Sequence, residues 1–300
     1  MQIIPGTHSL GATVRDLDLS QPLSTDEHRA VVHALARHGV LRFPGQTLSA
    51  RQQFDFSARF GTLEENVAGM FQEPGLPQVM VLSNIIRDGK PIGIADAGQG
   101  WHTDMSYSAT VAYANVLYAI EVPHRDGRPL GSTQFSDMVA AYEALPDDIK
   151  RRIVGRTATH DFAKFWEMMR RERNSARPPL TDAQRRTKPP VSHPLVLVHP
   201  VSGARALYAN PGYAMWIDGM DRAESDELLE LLFQHQTDSR FVYTFEWSRG
   251  DVLMWDNLRT IHQALADYRA DEPRLIKRCQ VMADQVLEEG RTARHALLSL

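Results

Sequence analysis

Apolar positions change their spacing along the chain, and the change marks out the elements. Val31, Val32 and Leu35 recur at helical spacing behind Ser24-Thr25-Asp26-Glu27. That tetrad is a capping box: Ser24 accepts from the amide of Glu27, and Glu27 reaches back. Gly39 supplies the stop. Val40-Leu41-Arg42-Phe43 follows as a short strand ended by Pro44-Gly45. Ser49-Ala50-Arg51-Gln52 repeats the cap and opens a second helix, which Gly61 closes. Residues 79–86 are strand-like and lead into the hairpin turn Asp88-Gly89. Residues 113–122 form a long β-rich run, and 136–145 a short helix. Residues 192–199 and 204–208 predict a hairpin around Ser202-Gly203. Asp221 caps a leucine-rich helix running to Gln236, with Glu224 in the third turn-forming position. Strands close the pattern at 241–247, 252–255 and 274–283.

One segment breaks the pattern. Residues 165–190 hold seven Lys or Arg against three acids, plus two Pro-Pro pairs. The composition predicts an excursion from the scaffold, an insertion over 164–190 poised as a lid; a solvated charged loop is the other reading. Short strands cluster on both sides of it, and the clear helices lie at the start and after Asp221. This predicts a single domain over 1–300, mainly β with flanking helices (α+β), of jelly-roll type. A doubly wound fold would need regular strand–helix alternation and a phosphate-binding Gly loop after the first strand, which is absent.

Composition narrows the partners. The 300 residues are ample for a buried core, at 43% hydrophobic and 23% charged. A net charge of −4 gives no support for nucleic acid or an anionic membrane as partner. The one cysteine, Cys279, rules out an internal disulfide and a Cys-rich zinc site, and fits a reducing cytoplasm. Residues 1–10 lack a signal-peptide pattern, and no run reaches the roughly 18 apolar residues of a membrane span. A cytoplasmic protein acting on a small molecule is the expectation.

The candidate chemistry begins at Gly100-Trp101-His102-Thr103-Asp104-Met105. On a strand, residues two apart share a face, so one imidazole and one carboxylate could converge there. A lone His-x-Asp is weak, because chance supplies it often. His262 is the best third ligand, placed just beyond the apolar strand that follows Arg249-Gly250-Asp251. Two His and a carboxylate make the facial triad of non-haem Fe(II) oxygenases. Zinc hydrolases use the same donors, although their helical H-E-x-x-H is absent. His160, His193, His199 and His235 read as structural or surface residues. Arg274 and Arg278 lie four apart in the last strand, hence on one face. Beside a metal site they read as anion receptors; elsewhere they would be solvated cations.

In order, the chain also carries Val40-Leu41-Arg42-Phe43-Pro44-Gly45-Gln46, Phe56-Ser57-Ala58-Arg59-Phe60-Gly61, Trp101-His102-Thr103-Asp104, Gly131-Ser132-Thr133, Ala140-Ala141-Tyr142-Glu143-Ala144-Leu145, His193-Pro194-Leu195-Val196, Gly250-Asp251-Val252-Leu253-Met254-Trp255-Asp256-Asn257, His262 and Arg274. Together these resemble the taurine / 2,4-dichlorophenoxyacetate family of Fe(II)- and 2-oxoglutarate-dependent dioxygenases. The resemblance implies a distorted double-stranded β-helix, with His102, Asp104 and His262 as iron ligands. It implies Thr133 and Arg274 on the distal carboxylate of 2-oxoglutarate, Trp255 near that cosubstrate, and Arg278 on the acidic group of the primary substrate. Fe(II), 2-oxoglutarate and O2 would be consumed or held there, with release of succinate and CO2. Arg278 points to an anionic substrate, carboxylate ahead of sulfonate. Residues 67–71 and 162–169 would suit a partly apolar or aromatic substrate body, and residues 82–84 with the hairpin at 87–90 resemble the aryloxyalkanoate branch, which implies C–O cleavage. Gly131-Ser132-Thr133 departs from the family's more usual Gly-Gly-Asp-Thr, and Ala97-Gly98-Gln99-Gly100 stands where taurine enzymes carry an Asn. Relatives of this family are often dimers or tetramers. Two other classes stay open: a zinc hydrolase or lyase at the same triad, and a non-catalytic jelly-roll binding protein.

Overall fold

The computed structural model describes residues 1–65, 70–172, 175 and 178–287. Its largest sheet has eight strands. Their order across the sheet is Gln2–Pro5, Ala12–Arg15, Val40–Phe43, Val252–Asp256, Ala112–Glu121, Leu275–Met282, Leu76–Ser83 and Gln72–Glu73. Only Ala12–Arg15 and Val40–Phe43 pair in parallel; the other pairs are antiparallel.

The central strands are apolar on both faces because both are covered. Val116 and Tyr118 join a cluster with Leu35 and Phe56 from the first two helices. Their neighbours Leu117 and Ala119 point the other way, into a second cluster with Phe135, Phe245, Leu253, Trp255 and Ile276. Phe135 and Phe245 belong to a three-stranded antiparallel sheet of Val242–Phe245, Thr133–Asp137 and Thr260–Ala264. The two sheets therefore face each other across that second cluster. A further three-stranded sheet joins Val191–Pro194, Thr157–His160 and Ala214–Ile217.

The helices stand outside the large sheet where their caps predict. Thr25–His38 and Ala50–Ser57 both carry the reciprocal capping box. Buried Gln53 ties the second helix to the sheet, its amide donating to the carbonyls of Val116 (3.1 Å) and Lys277 (2.9 Å). Arg222–Gln236 begins where the Asp221 carboxylate accepts from the amides of Ala223 and Glu224.

Four expectations change. Residues 136–145 are not one helix: Thr133–Asp137 is a strand, and Met138–Glu143 follows with Asp137 as its cap. His262 is not in a loop beyond the strand Val252–Asp256 but inside a further strand, Thr260–Ala264, whose polar Thr260, His262 and Gln263 hid its pattern. The hairpin around Ser202-Gly203 is shorter, Val196–Val198 with Arg205–Leu207, because Val191–Pro194 pairs instead with Thr157–His160. The charged 165–190 segment is not a bare loop. It holds most of the helix Phe162–Glu172 and all of Asp182–Thr187, and Phe165 and Met169 are buried.

Candidate active site

The two histidines meet through backbone pairing. The His102 amide donates to the His262 carbonyl (3.0 Å), and the His262 amide returns the bond (2.8 Å). This isolated antiparallel bridge sets the two rings 4.3 Å apart, centroid to centroid. Asp104 is not on a strand with His102, as the two-residue spacing suggested. It lies in a turn in which Met105 takes a left-handed φ of 57° and the Ser108 amide caps the Met105 carbonyl. The turn folds the carboxylate back between the rings. Asp104 Oδ1 is 3.7 Å from His102 Nε2, and Oδ2 is 3.8 Å from His262 Nε2. One donor atom from each of the three lies within 4.8 Å of the others.

These donors suit a divalent cation. His102 Nδ1 donates to the Gly100 carbonyl at 2.8 Å, which leaves the Nε2 lone pair for a metal. Burial holds both imidazoles below their ordinary pKa, His262 well below, so both are neutral ligands at pH 7. Burial opposes ionisation of Asp104, but the Arg278 guanidinium, the two imidazoles and the Asn115 amide outweigh it and hold its pKa at about 2. Three neutral-or-anionic donors on one side of a buried point are what a facial triad requires.

A buried network fixes these groups. Thr103 Oγ1 donates to the Asn257 carbonyl (2.7 Å), and Trp255 Nε1 donates to Asn257 Oδ1 (3.1 Å). Asn115 Nδ2 donates to Asp104 Oδ2 at 2.6 Å. The Trp255 ring lies 4.7 Å from that of His262 and 5.3 Å from Phe135, walling one side. Behind it, His199 Nε2 meets Asp256 Oδ2 at 2.8 Å, both fully buried, while His199 Nδ1 accepts from the amides of Val201 and Ser202.

Two arginines supply positive charge. Arg278 Nη1 stands 3.6 Å from Asp104 Oδ2. Arg274 is buried, packs beside Gly131 and over the Tyr268 ring (5.8 Å), and has no carboxylate partner among the described residues. Burial lowers its pKa from the usual arginine value, against a hydrogen bond with Tyr268, and leaves a charged group with no carboxylate beside it among the described residues. That is the environment a carboxylate ligand would complete. Arg274 directly precedes the strand Leu275–Met282, which pairs without a break with Leu76–Ser83, and Arg278 lies within that strand opposite Met80. Thr133 sits on the small sheet opposite Ala264 and Phe245, and its hydroxyl accepts from Trp247 Nε1 at 3.0 Å.

The remaining wall is aromatic. Phe165 lies 4.9 Å and Tyr213 6.2 Å from the His102 ring, and the tilted Tyr107 ring lies 4.8 Å from Tyr213. Met105, Met169 and Met282 complete this cluster. Gly212 allows the approach: a Cβ there would come within 2.7 Å of the His102 Cβ. The aromatic content of 162–169 foreshadowed Phe165. Nothing local in the sequence marked Asn115, Tyr107 or Tyr213. Of the stretch 67–71, also considered for the substrate wall, residues 67–69 lie outside the described residues.

Comparison with known proteins agrees with this geometry. The family model described as taurine catabolism dioxygenase TauD, TfdA family matches residues 2–280. The chain is 33% identical over 287 residues to an alpha-ketoglutarate-dependent 2,4-dichlorophenoxyacetate dioxygenase of Cupriavidus pinatubonensis, covering 92% of this chain and 96% of that one. It is 31% identical to a pentalenolactone F synthase of Streptomyces avermitilis, over 95% and 94% of the two chains. The crystal structure of a taurine dioxygenase from Burkholderia xenovorans superposes with a TM-score of 0.75 at 29% identity, covering 94% of this chain and 89% of that one. With a match this complete around a His-Asp-His centre, the chain belongs to the TauD/TfdA family and is an Fe(II)- and 2-oxoglutarate-dependent dioxygenase.

Proposed function

We propose that this dioxygenase hydroxylates a small organic anion with an aromatic or apolar body, a carboxylate ahead of a sulfonate, of aryloxyalkanoate type. The observation that carries the reading is Arg278: a guanidinium 3.6 Å from the metal-site carboxylate, in a site whose His102 ring is flanked by Phe165 and Tyr213, with Tyr107 beside them. His102, Asp104 and His262 would hold Fe(II). Arg274 and Thr133 would grip the distal carboxylate of 2-oxoglutarate, the first by charge and the second by its hydroxyl. When bound, Fe(II) with 2-oxoglutarate and O2 supplies oxidative decarboxylation to succinate and CO2, coupled to oxygen insertion at a substrate C–H.

The protein's task is then positioning and exclusion of water. Arg278 draws the substrate anion next to the triad, and a bidentate pair fixes its angle. Phe165, Tyr213 and Tyr107 take the body by apolar contact and keep bulk water off the reacting carbon. Hydroxylation of a carbon bearing an ether oxygen gives a hemiacetal, which collapses with its hydroxyl proton passing to the aryloxy oxygen, so that the C–O bond breaks and a phenol and a carbonyl compound leave. The 2,4-dichlorophenoxyacetate relative supports this class.

The 164–190 insertion acts as the lid in this reading. Its Ser175 hydroxyl donates to Asp96, its Trp166 indole closes on the Pro178 carbonyl (2.8 Å), and Lys188 lies 4.0 Å from Glu64. The eight- and three-stranded sheets facing across one core support a distorted double-stranded β-helix as the scaffold.

The test is succinate release from Fe(II)-loaded protein with aryloxyalkanoic acids and their methyl esters. Acids should drive succinate formation, esters should not, and Arg278→Gln should erase the difference. Equal turnover of acid and ester by the unmodified protein would sink the reading.

A further inference from the structure

The Asp104 carboxylate is held by two donors on one oxygen. Asn115 Nδ2 donates to Oδ2 at 2.6 Å, and Arg278 Nη1 lies 3.6 Å from the same atom. The donors differ in freedom. Arg278 ends a long, partly exposed side chain. Asn115 is fully buried on the central strand Ala112–Glu121, paired with Trp255 on one side and Gln280 on the other.

Asn115 is a poor choice for packing alone. Its Oδ1 is buried with no hydrogen-bond partner, and buried unpaired amide oxygens are costly. Its second contact is marginal: Asn257 Oδ1 is 3.5 Å away and already accepts from Trp255 at 3.1 Å. The next residues on that face, Leu117 and Ala119, are apolar. A leucine of similar shape would satisfy the strand without stranding a polar atom. What the amide adds is the bond to Asp104.

We propose that Asn115 is a positioning residue for the metal centre, an inference that rests on the metal reading of His102, Asp104 and His262. By occupying Oδ2 it turns Oδ1 toward the metal and makes Asp104 a one-oxygen ligand. It keeps that set when Arg278 moves from Asp104 to the substrate anion. An Asp104 binding through both oxygens would take a position that cosubstrate or O2 needs. The two donors thus divide the work: Arg278 is shared with substrate, and Asn115 is not.

Co(II) binding to metal-free protein tests this without turnover, through its visible d–d spectrum and its dissociation constant. Asn115→Leu should weaken Co(II) roughly 10- to 100-fold, the usual loss for an outer-shell partner. Its spectrum should change, while the Tm of the metal-free protein is not lowered. Asn115→Ser, which keeps a donor, should bind more tightly than Asn115→Ala. If Asn115→Leu does not fold, the Ser–Ala comparison decides, and equal affinities there overturn the proposal. A leucine variant with the unmodified spectrum and a dissociation constant within about twofold also overturns it. Co(II) bound equally well by His102→Ala would mean instead that the metal reading itself fails, and this inference falls with it.

Discussion

Arg274 offers the sharpest prediction, because one substitution should move two observables in different directions. Its guanidinium is buried beside Gly131 and Tyr268 with no carboxylate partner among the described residues. Arg274→Gln removes the charge and keeps one neutral donor. A bidentate pair with a carboxylate loses two charge-assisted bonds, each worth about 1.5–3 kcal/mol, and regains one neutral bond of about 1 kcal/mol. The net loss of about 2–5 kcal/mol predicts a 2-oxoglutarate dissociation constant raised roughly 30- to 5000-fold. The assay is anaerobic titration of the Fe(II) protein with 2-oxoglutarate, followed by its visible charge-transfer band. At about 100 times its dissociation constant, 2-oxoglutarate should stabilise the unmodified protein by about 2.7 kcal/mol. The variant at that concentration should gain under about 1 kcal/mol. Without ligand the sign differs: a buried cation lacking an anion is itself costly, so the variant's Tm should hold or rise. A dissociation constant changed less than about threefold would refute the reasoning. So would a clear fall in the ligand-free Tm, which would make Arg274 a structural residue.

Three further outcomes follow from the geometry. His160 is fully buried with both ring nitrogens unpartnered, and burial, His193 and Lys164 hold its pKa down at about 3. The unfolded chain binds this proton below pH 6.5 and the folded one does not, so stability falls with pH from 6.5 toward 3. The loss is about 1 kcal/mol between pH 6.5 and 5.5, and urea midpoints for His160→Phe should lack that part of the slope. His199→Ala strands the fully buried Asp256 carboxylate and two amides, and should cost about 3–5 kcal/mol. At about 2.1 cal/mol/K per residue that lowers Tm by roughly 5–8 °C, and calorimetry giving no shift would show that the pair is idle. Phe165→Ala removes the ring 4.9 Å from His102. It should raise KM for aryloxy acids and increase succinate formed without product, read by comparing succinate with phenol yield; unchanged coupling would remove Phe165 from the substrate wall.

Much of this protein is determined locally. Ser24 with Glu27, Ser49 with Gln52, and Asp221 fix their helices through bonds spanning two or three residues, so the caps are legible in the text of the chain. The strands 40–43 and 252–256 declare themselves by apolar residues at adjacent positions, Val40 and Leu41 in the first and Val252 to Trp255 in the second, because both faces are covered. The metal trio is legible from residue chemistry and from the resemblance in which it is embedded. Its geometry is not. His102 meets His262 through one isolated bridge, and Asp104 reaches them through a left-handed turn at Met105. Neither is implied by His-x-Asp spacing. Asn115, Phe165 and Tyr213 reach the site from a strand, a helix and a turn that are separate in sequence. A side chain's direction is set by the neighbour its backbone bonds to, and for those residues the neighbour is distant in sequence. The sequence by itself therefore determined the elements, the donors and the family. The tertiary pairing alone decided which groups surround the metal-site carboxylate and from which side.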